Sequence, residues 1–417
     1  MKVLCAGIFS LILAMGIARF TYTPLLPLMH EQAGLGLPHA GLLAAINYSG
    51  YLCGALLASV INDVVIKDRL YRFGMVIAVA STVMMGLTDN FTIWSISRFI
   101  AGLSSAAGLM FGSGLILNWL IRHNHHSELG IHFSGVGLGI AVCSAAAIVM
   151  TPSMSWNEQW FVFSGIGLLL LIPALVWLPS PDRSIITKSG KSMLDCPPSH
   201  AFLRLFMAAY FCAGFGYVVT ATFIVAIVNS IPGLEGKGNL VFLVIGLAAG
   251  PSCIVWDFIA RRIGGLNALV IAAAIQIIGI LLPIIGGGLI GALAGALLFG
   301  GTCMGIVSLV LSMAGRYYPT RPAKMMGKMT IAYGVAQIIG PAITAQIAAI
   351  FGNYSAGLYI AAGVMALGSF LFFLLRRGRL RKRNIKYAKL MWATGGSISY
   401  GARKAISNSS AGTGREK

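Results

Sequence analysis

Apolar stretches about as long as a membrane-crossing helix follow one another through most of this chain, and no other feature of the sequence restricts its fold as much. Read in windows of roughly 20 residues, they fall at about 4–29, 41–61, 73–89, 92–119, 131–151, 160–178, 202–230, 240–260, 266–286, 288–314, 328–350 and 355–375. The hydrocarbon interior offers no partner for a backbone N–H or C=O, so each stretch must satisfy its own polar groups as a helix. Composition agrees: 57% of the residues are hydrophobic, 10% are charged and mean hydropathy is +0.85, against about 25% charged in a soluble domain. The sequence predicts an all-α integral membrane protein with about twelve transmembrane helices.

A formal net charge of +19 would suggest nucleic acid as a partner of a soluble protein, so its location has to be found first. From Arg376 onward there are twelve Lys/Arg and one acid, Glu416, so the tail alone holds a surplus of eleven. The remaining basic residues occupy every second loop: Lys67, Arg69 and Arg72; Arg122; Arg183, Lys188, Lys191 and Arg204; Arg261 and Arg262; Arg316, Arg321, Lys324 and Lys328. The opposite loops offer Glu31, Asp89, Glu158 and Glu235, with Lys237 as their basic residue. By the positive-inside rule both termini are cytoplasmic, in a multi-pass protein of a bacterial inner membrane. Nucleic acid is not an expected partner. The seven cysteines, Cys5, Cys53, Cys143, Cys196, Cys212, Cys253 and Cys303, lack CxxC or Cys/His spacing and read as small apolar packers, with no metal site. The apolar run that begins after Lys2 continues to Met29, which makes it a first span rather than a cleaved signal.

The longest interior polar stretch, 179–201, falls after six spans and before six more. The expected organisation is an N-terminal six-helix bundle at 1–178, a cytoplasmic linker at 179–201, a C-terminal six-helix bundle at 202–375 and a basic cytoplasmic tail at 376–417. Two joined bundles suggest a transporter whose site lies between its halves. Glycines recur four apart, as at Gly108/Gly112, Gly135/Gly139, Gly246/Gly250, Gly291/Gly295 and Gly301/Gly305, which lets helices approach closely. Pro24 and Pro27 in the first span and Gly340-Pro341 in the eleventh predict interrupted helices. The tail begins Arg376-Arg377-Gly378-Arg379, suited to anionic lipid headgroups, and becomes Gly/Ser-rich after Thr394, which predicts a largely disordered end.

Several blocks resemble the major facilitator superfamily and, within it, the YbfB/YjiJ-like branch of bacterial transporters. They are Gly16 to Met29 (GIARFTYTPLLPLM), Ala45 to Tyr51 (AINYSGY), Gly214-Phe215-Gly216-Tyr217 with Ala221-Thr222-Phe223, and Ala336 to Pro341 (AQIIGP). The resemblance covers roughly residues 1–375 and implies the major facilitator fold. Arg98, in Ser97-Arg98-Phe99-Ile100-Ala101-Gly102, looks like the superfamily's fourth-helix arginine, which faces the central cavity. The superfamily's gating motif after the second span, Asp-Arg-x-Gly-Arg, is loosened here to Asp63, Arg69 and Arg72. In its counterpart after the eighth span Asp257 stands where a glycine is expected and Arg261 where the aspartate is, followed by Arg262. These six residues are the gating candidates.

Arg19 and Arg98 lie inside apolar stretches that contain no acid, and an ionised guanidinium at that depth costs several kcal/mol unless something satisfies it. Arg19 lies about eleven residues from the outer end of its span near His30, roughly 16 Å, and Arg98 about seven residues in, roughly 10 Å. If both face one cavity, as the resemblance implies, their charges repel and call for an anion. Competing roles are snorkelling for Arg98, capping of carbonyls freed near Pro24 for Arg19, and pairing with the rim acids Asp89 or Glu31. Tyr22, Asn47, Tyr51, Tyr217, Thr222 and Gln337 supply hydroxyls and amides that could orient a ligand, and Asn47 and Tyr51, four apart, share a helix face. His123, His125 and His126 read as a solvated loop, and His132 as a weak proton-carrier candidate.

These features predict a secondary active transporter that moves a small organic anion or amphipathic metabolite by alternating access, with Arg19, Tyr22, Asn47, Tyr51, Arg98, Tyr217, Thr222 and Gln337 as its substrate site. Protons, common coupling ions in the superfamily, have no embedded carboxylate to ride on. The alternatives are an exporter of drugs or toxic metabolites, which needs less fixed charge, and a non-transporting membrane sensor. No nucleophile-base pair, metal cluster or phosphate loop supports an enzyme, and no cofactor is expected. A phosphatase that works only outside the cytoplasm, fused after Lys417, is expected to be inactive, and the same reporter inserted between Gly233 and Gly236 to be active; the opposite pattern reverses the predicted topology.

Overall fold

The computed structural model of the protein describes residues 2–61, 63–122, 129–181, 197–317 and 322–393. Twelve helices carry these residues. The first, α1, runs Lys2–Leu11, then as a wider π-helix Ile12–Phe20, then Tyr22–Ala33. It is followed by α2 Leu37–Val60, α3 Val64–Gly86, and α4, which runs Phe91–Ala106, a π-helical Ala107–Gly112 and Ser113–Arg122. Then come α5 Leu129–Met150, α6 Trp156–Val176, α7 His200–Asn229 and α8 Gly238–Ile263. The last four are α9 Gly265–Ile285, α10 Gly288–Tyr317, α11 Pro322–Phe351 and α12 Ser355–Ala393. Among the described residues, eleven helices are long and apolar enough to cross a membrane; α3 falls short, because its first turns carry Lys67, Asp68, Arg69 and Arg72.

Two local expectations are corrected. Helix α3 begins nine residues before the predicted 73, because the Asp63 carboxylate accepts from the N–H groups of Val65 and Ile66 at 2.7 and 3.1 Å and starts the helix there. Arg69 and Arg72 therefore sit on a helix, not in a loop. Of the predicted breaks, that of α1 is present in the turn before Pro24, but not at Pro27 or Pro341. Pro27 and Pro341 lie inside unbroken turns, and the irregularity of α1 falls one turn earlier, where Thr21 N–H reaches back five residues to Gly16 O at 3.0 Å. The tight α9–α10 connection turns at Gly287 and Gly288, both at positive φ, a conformation that favours glycine.

The packing repeats when each helix number is raised by six. Helix α1 lies on α5 as α7 lies on α11, α2 on α4 as α8 on α10, and α3 on α6 as α9 on α12. Two six-helix bundles result. They meet along α2–α11 and α5–α8, which are one contact seen twice under this exchange, and where α1 touches α7. Glycines permit the close approach. On α5, Gly135 and Gly139 face Ile8 and Gly16 of α1, whereas Gly137 points the other way, against Gly246 and Gly250 of α8. Away from α2–α11 and α5–α8, side-chain hydrogen bonds join the bundles toward the side opposite the termini. Thr23 donates to Ala221 O at 2.9 Å, and Tyr354 to Leu37 O at 3.3 Å. On the side of the termini, Lys2–Leu11 packs on α4, α5 and α6 of its own bundle.

The described part of α12 runs on through the basic stretch to Ala393. Most of the predicted linker, His123, His125 and His126, Arg183, Lys188, Lys191, Cys196, Arg321 and the chain after residue 393 lie outside the described residues. A side chain at Gly137 would collide with the α8 backbone, so Gly137→Val is expected to cost about 1–3 kcal/mol by overpacking. Thermal unfolding in detergent measures this, and an unchanged transition would mean that the two bundles are not in contact there.

Candidate functional site

Arg98 projects from α4 into the irregular part of α1. Its Nη1 donates to Ala18 O at 3.1 Å and its Nη2 to Arg19 O at 3.3 Å. Both carbonyls lie at the end of the π-helical segment, where the register returns to α and Pro24, which has no N–H, leaves the next turn one donor short. The Tyr22 ring lies under the guanidinium at 4.6 Å. Arg98 is 2% exposed, so it does not snorkel. The carbonyl-capping role expected of Arg19 belongs to Arg98.

Arg19 is left with little. It is 4% exposed, and its one hydrogen bond among the described residues is from Nη1 to the Met15 sulfur at 3.8 Å, while Nε is buried without a partner. The rings of Tyr48 and Tyr51 stand 4.5 Å from the guanidinium carbon, and Phe20 stands 5.5 Å away. Cation–π contacts of this kind supply about 0.5–2 kcal/mol each. They take up the faces of the guanidinium but give its N–H edge no oxygen. Neither Asp89 nor Glu31 is paired with it.

The other predicted residues divide into two groups. Tyr22 donates to Ala40 O at 2.8 Å, Asn47 Nδ2 to Arg98 O at 2.8 Å, and Thr222 pairs with the Tyr48 hydroxyl at 3.2 Å. These three brace helices. Tyr51, Tyr217 and Gln337 remain, all buried, with the Gln337 side-chain oxygen unpartnered. Tyr217 stacks on Phe299 of α10 (6.2 Å between centroids, 6° between planes) and on Tyr333 of α11 (6.0 Å, 30°), and Tyr333 stacks on Tyr210 (4.5 Å, 27°). Sequence reasoning missed Tyr48, Tyr210, Phe299 and Tyr333. A signal existed for three of them: Tyr48 is three residues before Tyr51, Tyr210 is seven before Tyr217, and Tyr333 is four before Gln337, spacings that share a helix face.

Among the described residues, the ion pairs made by Arg72, Asp257 and Arg261 stay within one helix. Arg72 pairs with Asp68, which the sequence reading passed over, at 2.9 Å, and donates to Leu175 O and Leu178 O at 3.0 Å each. It thereby ties α3 to the end of α6, where cationic groups are favoured. Asp257 and Arg261 pair at 2.6 Å along the exposed side of α8, and Arg262 lies 4.3 Å from the Phe258 ring. Asp63 caps α3, and Arg69 is exposed. His132 is buried, with Nε2 3.0 Å from Ser113 Oγ.

The two arginines therefore differ in a measurable way. Arg98→Gln removes two charge-assisted hydrogen bonds and is expected to cost about 3 kcal/mol or more, whereas Arg19→Gln removes a buried charge that lacks an anion and is expected to be neutral or stabilising. Thermal unfolding of the two unliganded variants checks this; a larger loss for Arg19→Gln would reverse the assignment.

Comparison with known proteins follows the same lines. The family described as "Uncharacterised MFS-type transporter YbfB" matches residues 11–373. The chain is 24% identical over 275 residues to the uncharacterized MFS-type transporter YceJ of Bacillus subtilis, covering 63% of this chain and 68% of the relative. It is 22% identical over 389 residues to the probable sulfoacetate transporter SauU of Cupriavidus necator, covering 82% and 86%. In fold it resembles a mutant of the nucleoside transporter NupG, with a TM-score of 0.71 over 90% of this chain and 100% of that one at 12% identity. With the family match spanning most of the chain and all twelve helices in place, the chain belongs to the YbfB family of major facilitator transporters, multi-pass membrane proteins that carry small molecules and are not enzymes.

Proposed function

We propose that this protein is a secondary transporter that carries a small organic anion across the bacterial inner membrane by alternating access, with Arg19 as the charge partner of its substrate. The observation that carries this reading is the Arg19 guanidinium, 4% exposed, caged by Tyr48 and Tyr51 and without an oxygen acceptor among the described residues. A charge buried in that way is costly alone and favourable with a counter-ion. Arg98 acts indirectly: it holds the α1 carbonyls beside Arg19 and so positions the binding group. The resemblance to a probable sulfoacetate transporter is in keeping with an anionic substrate.

The charge lies on the N-terminal bundle, while Tyr210, Tyr217, Phe299 and Tyr333 belong to the C-terminal one. A ligand held between them touches both, which is what couples occupancy to movement of residues 1–178 against 202–375 about the linker 179–201. With both termini cytoplasmic, the bonds Thr23–Ala221 and Tyr354–Leu37 close the outer side, and the basic tail 376–417 rests on anionic headgroups.

Uptake of labelled organic acids into proteoliposomes tests the role of Arg19. Loss of one partner of a buried charge pair costs about 2 kcal/mol or more, so Arg19→Gln is expected to slow transport about 30-fold or more while the protein stays folded. Wild-type rates in that variant would overturn the reading.

A further inference from the structure

Resting on the reading of Arg19 as an anion partner, we infer that the substrate class is an aromatic monocarboxylate. Its carboxylate lies on the Arg19 guanidinium, and its ring lies on the aromatic ladder of α7, α10 and α11.

The single charge follows from how the two guanidiniums are used. Both terminal nitrogens of Arg98 donate to backbone carbonyls, so those oxygens already share its charge, although its Nε, like that of Arg19, has no partner among the described residues. Arg19 donates to no oxygen: Nη1 turns to Met15, the guanidinium lies against Tyr48 and Tyr51, and the Nε–Nη2 edge carries no oxygen among the described residues. Two adjacent N–H groups fit the two oxygens of one carboxylate. A second carboxylate on the same ligand would meet a guanidinium whose charge the α1 carbonyls already share.

The ring follows from the opposite wall. Phe299, Tyr217, Tyr333 and Tyr210 form a continuous series of rings on three helices, with successive planes 6°, 30° and 27° apart. Tyr48, 4.5 Å from the Arg19 guanidinium, pairs with Thr222 of α7 at 3.2 Å, so the caged arginine faces the helix that carries Tyr210 and Tyr217. The tyrosines are each less than 9% exposed, yet among the described residues the hydroxyls of Tyr51, Tyr210, Tyr217 and Tyr333 have no hydrogen-bond partner. These four hydroxyls, with the buried and unpartnered Gln337 oxygen one turn after Tyr333, mark where a ligand and its waters belong. A flat ring extends a ladder of near-parallel rings by offset stacking, and a saturated ring of equal charge and similar volume does not.

Calorimetric binding to the purified full-length protein tests this with four probes: benzoate, cyclohexanecarboxylate, the neutral benzamide and the dianion phthalate. The expected result is benzoate bound about tenfold or more tightly than cyclohexanecarboxylate, with the preference kept in Tyr333→Phe and lost in Tyr333→Leu. Unliganded unfolding transitions confirm that both variants are folded. Equal affinity for benzoate and cyclohexanecarboxylate would overturn the aromatic class and leave the anion reading standing. Benzamide bound as tightly as benzoate would overturn the anion reading itself. Phthalate bound more tightly than benzoate would overturn the single charge, and a preference that survives Tyr333→Leu would overturn the placement on the ladder. No binding of either carboxylate at millimolar concentration would overturn the inference.

Discussion

The contact between Arg98 and the carbonyls of Ala18 and Arg19 is the interaction on which the rest of the site depends. A π-helical segment followed by a proline leaves backbone oxygens without their usual donors, and inside a membrane no water is at hand to replace them. A guanidinium from the neighbouring helix meets that need with charge-assisted bonds. The deformation of α1 and the buried charge of α4 thus relieve one another. Asn47 Nδ2 donates to the carbonyl of Arg98 itself, so α2 joins the same brace. Held in this way, α1 presents Arg19 between Tyr48 and Tyr51 with its charge unspent.

The same economy shapes the contact between bundles. Raising each helix number by six reproduces the packing, so one interface serves twice, as α2–α11 and as α5–α8. Lipid provides no hydrophobic drive between helices, and close van der Waals contact between small residues takes its place. Gly137, Gly246 and Gly250 make such a contact. Among the described residues the ion pairs Asp68–Arg72 and Asp257–Arg261 each remain within a single helix. The charged residues near the loops serve local ends instead: Asp63 starts α3, and Arg72 closes the end of α6.

Much of the site was legible, and its limits are instructive. The depth of Arg19 and Arg98 in acid-free helices showed that both are costly, because burial depth follows from position along a helix. It could not show which of them the backbone would satisfy, since that depends on where the register of α1 changes and on which helix packs beside it. Carbonyl capping, one of the competing roles for Arg19, falls to Arg98 for that reason. Asn47 and Tyr51 do share a face of α2, but Asn47 turns to α4 and Tyr51 to Arg19; Tyr48, one residue on from Asn47, proved the second wall of the cage. Tyr210 and Tyr333 carry no charge that betrays them in a sequence. Spacing puts them on the faces of Tyr217 and Gln337, but that they stack on one another is decided only when α7 and α11 lie side by side.

What the sequence determined by itself is whatever a single apolar segment must do in a bilayer. Length and continuous hydropathy compel helices, their number and the central polar stretch compel two sets of six, and the blocks around Arg19 and Arg98 identify the family. What the tertiary structure decided is the division of labour between two similar residues. Whether a buried guanidinium is spent on the backbone or left without an oxygen acceptor turns on a few ångströms of packing between α1, α2 and α4, and distances of that kind are set by neighbours that lie far away along the chain.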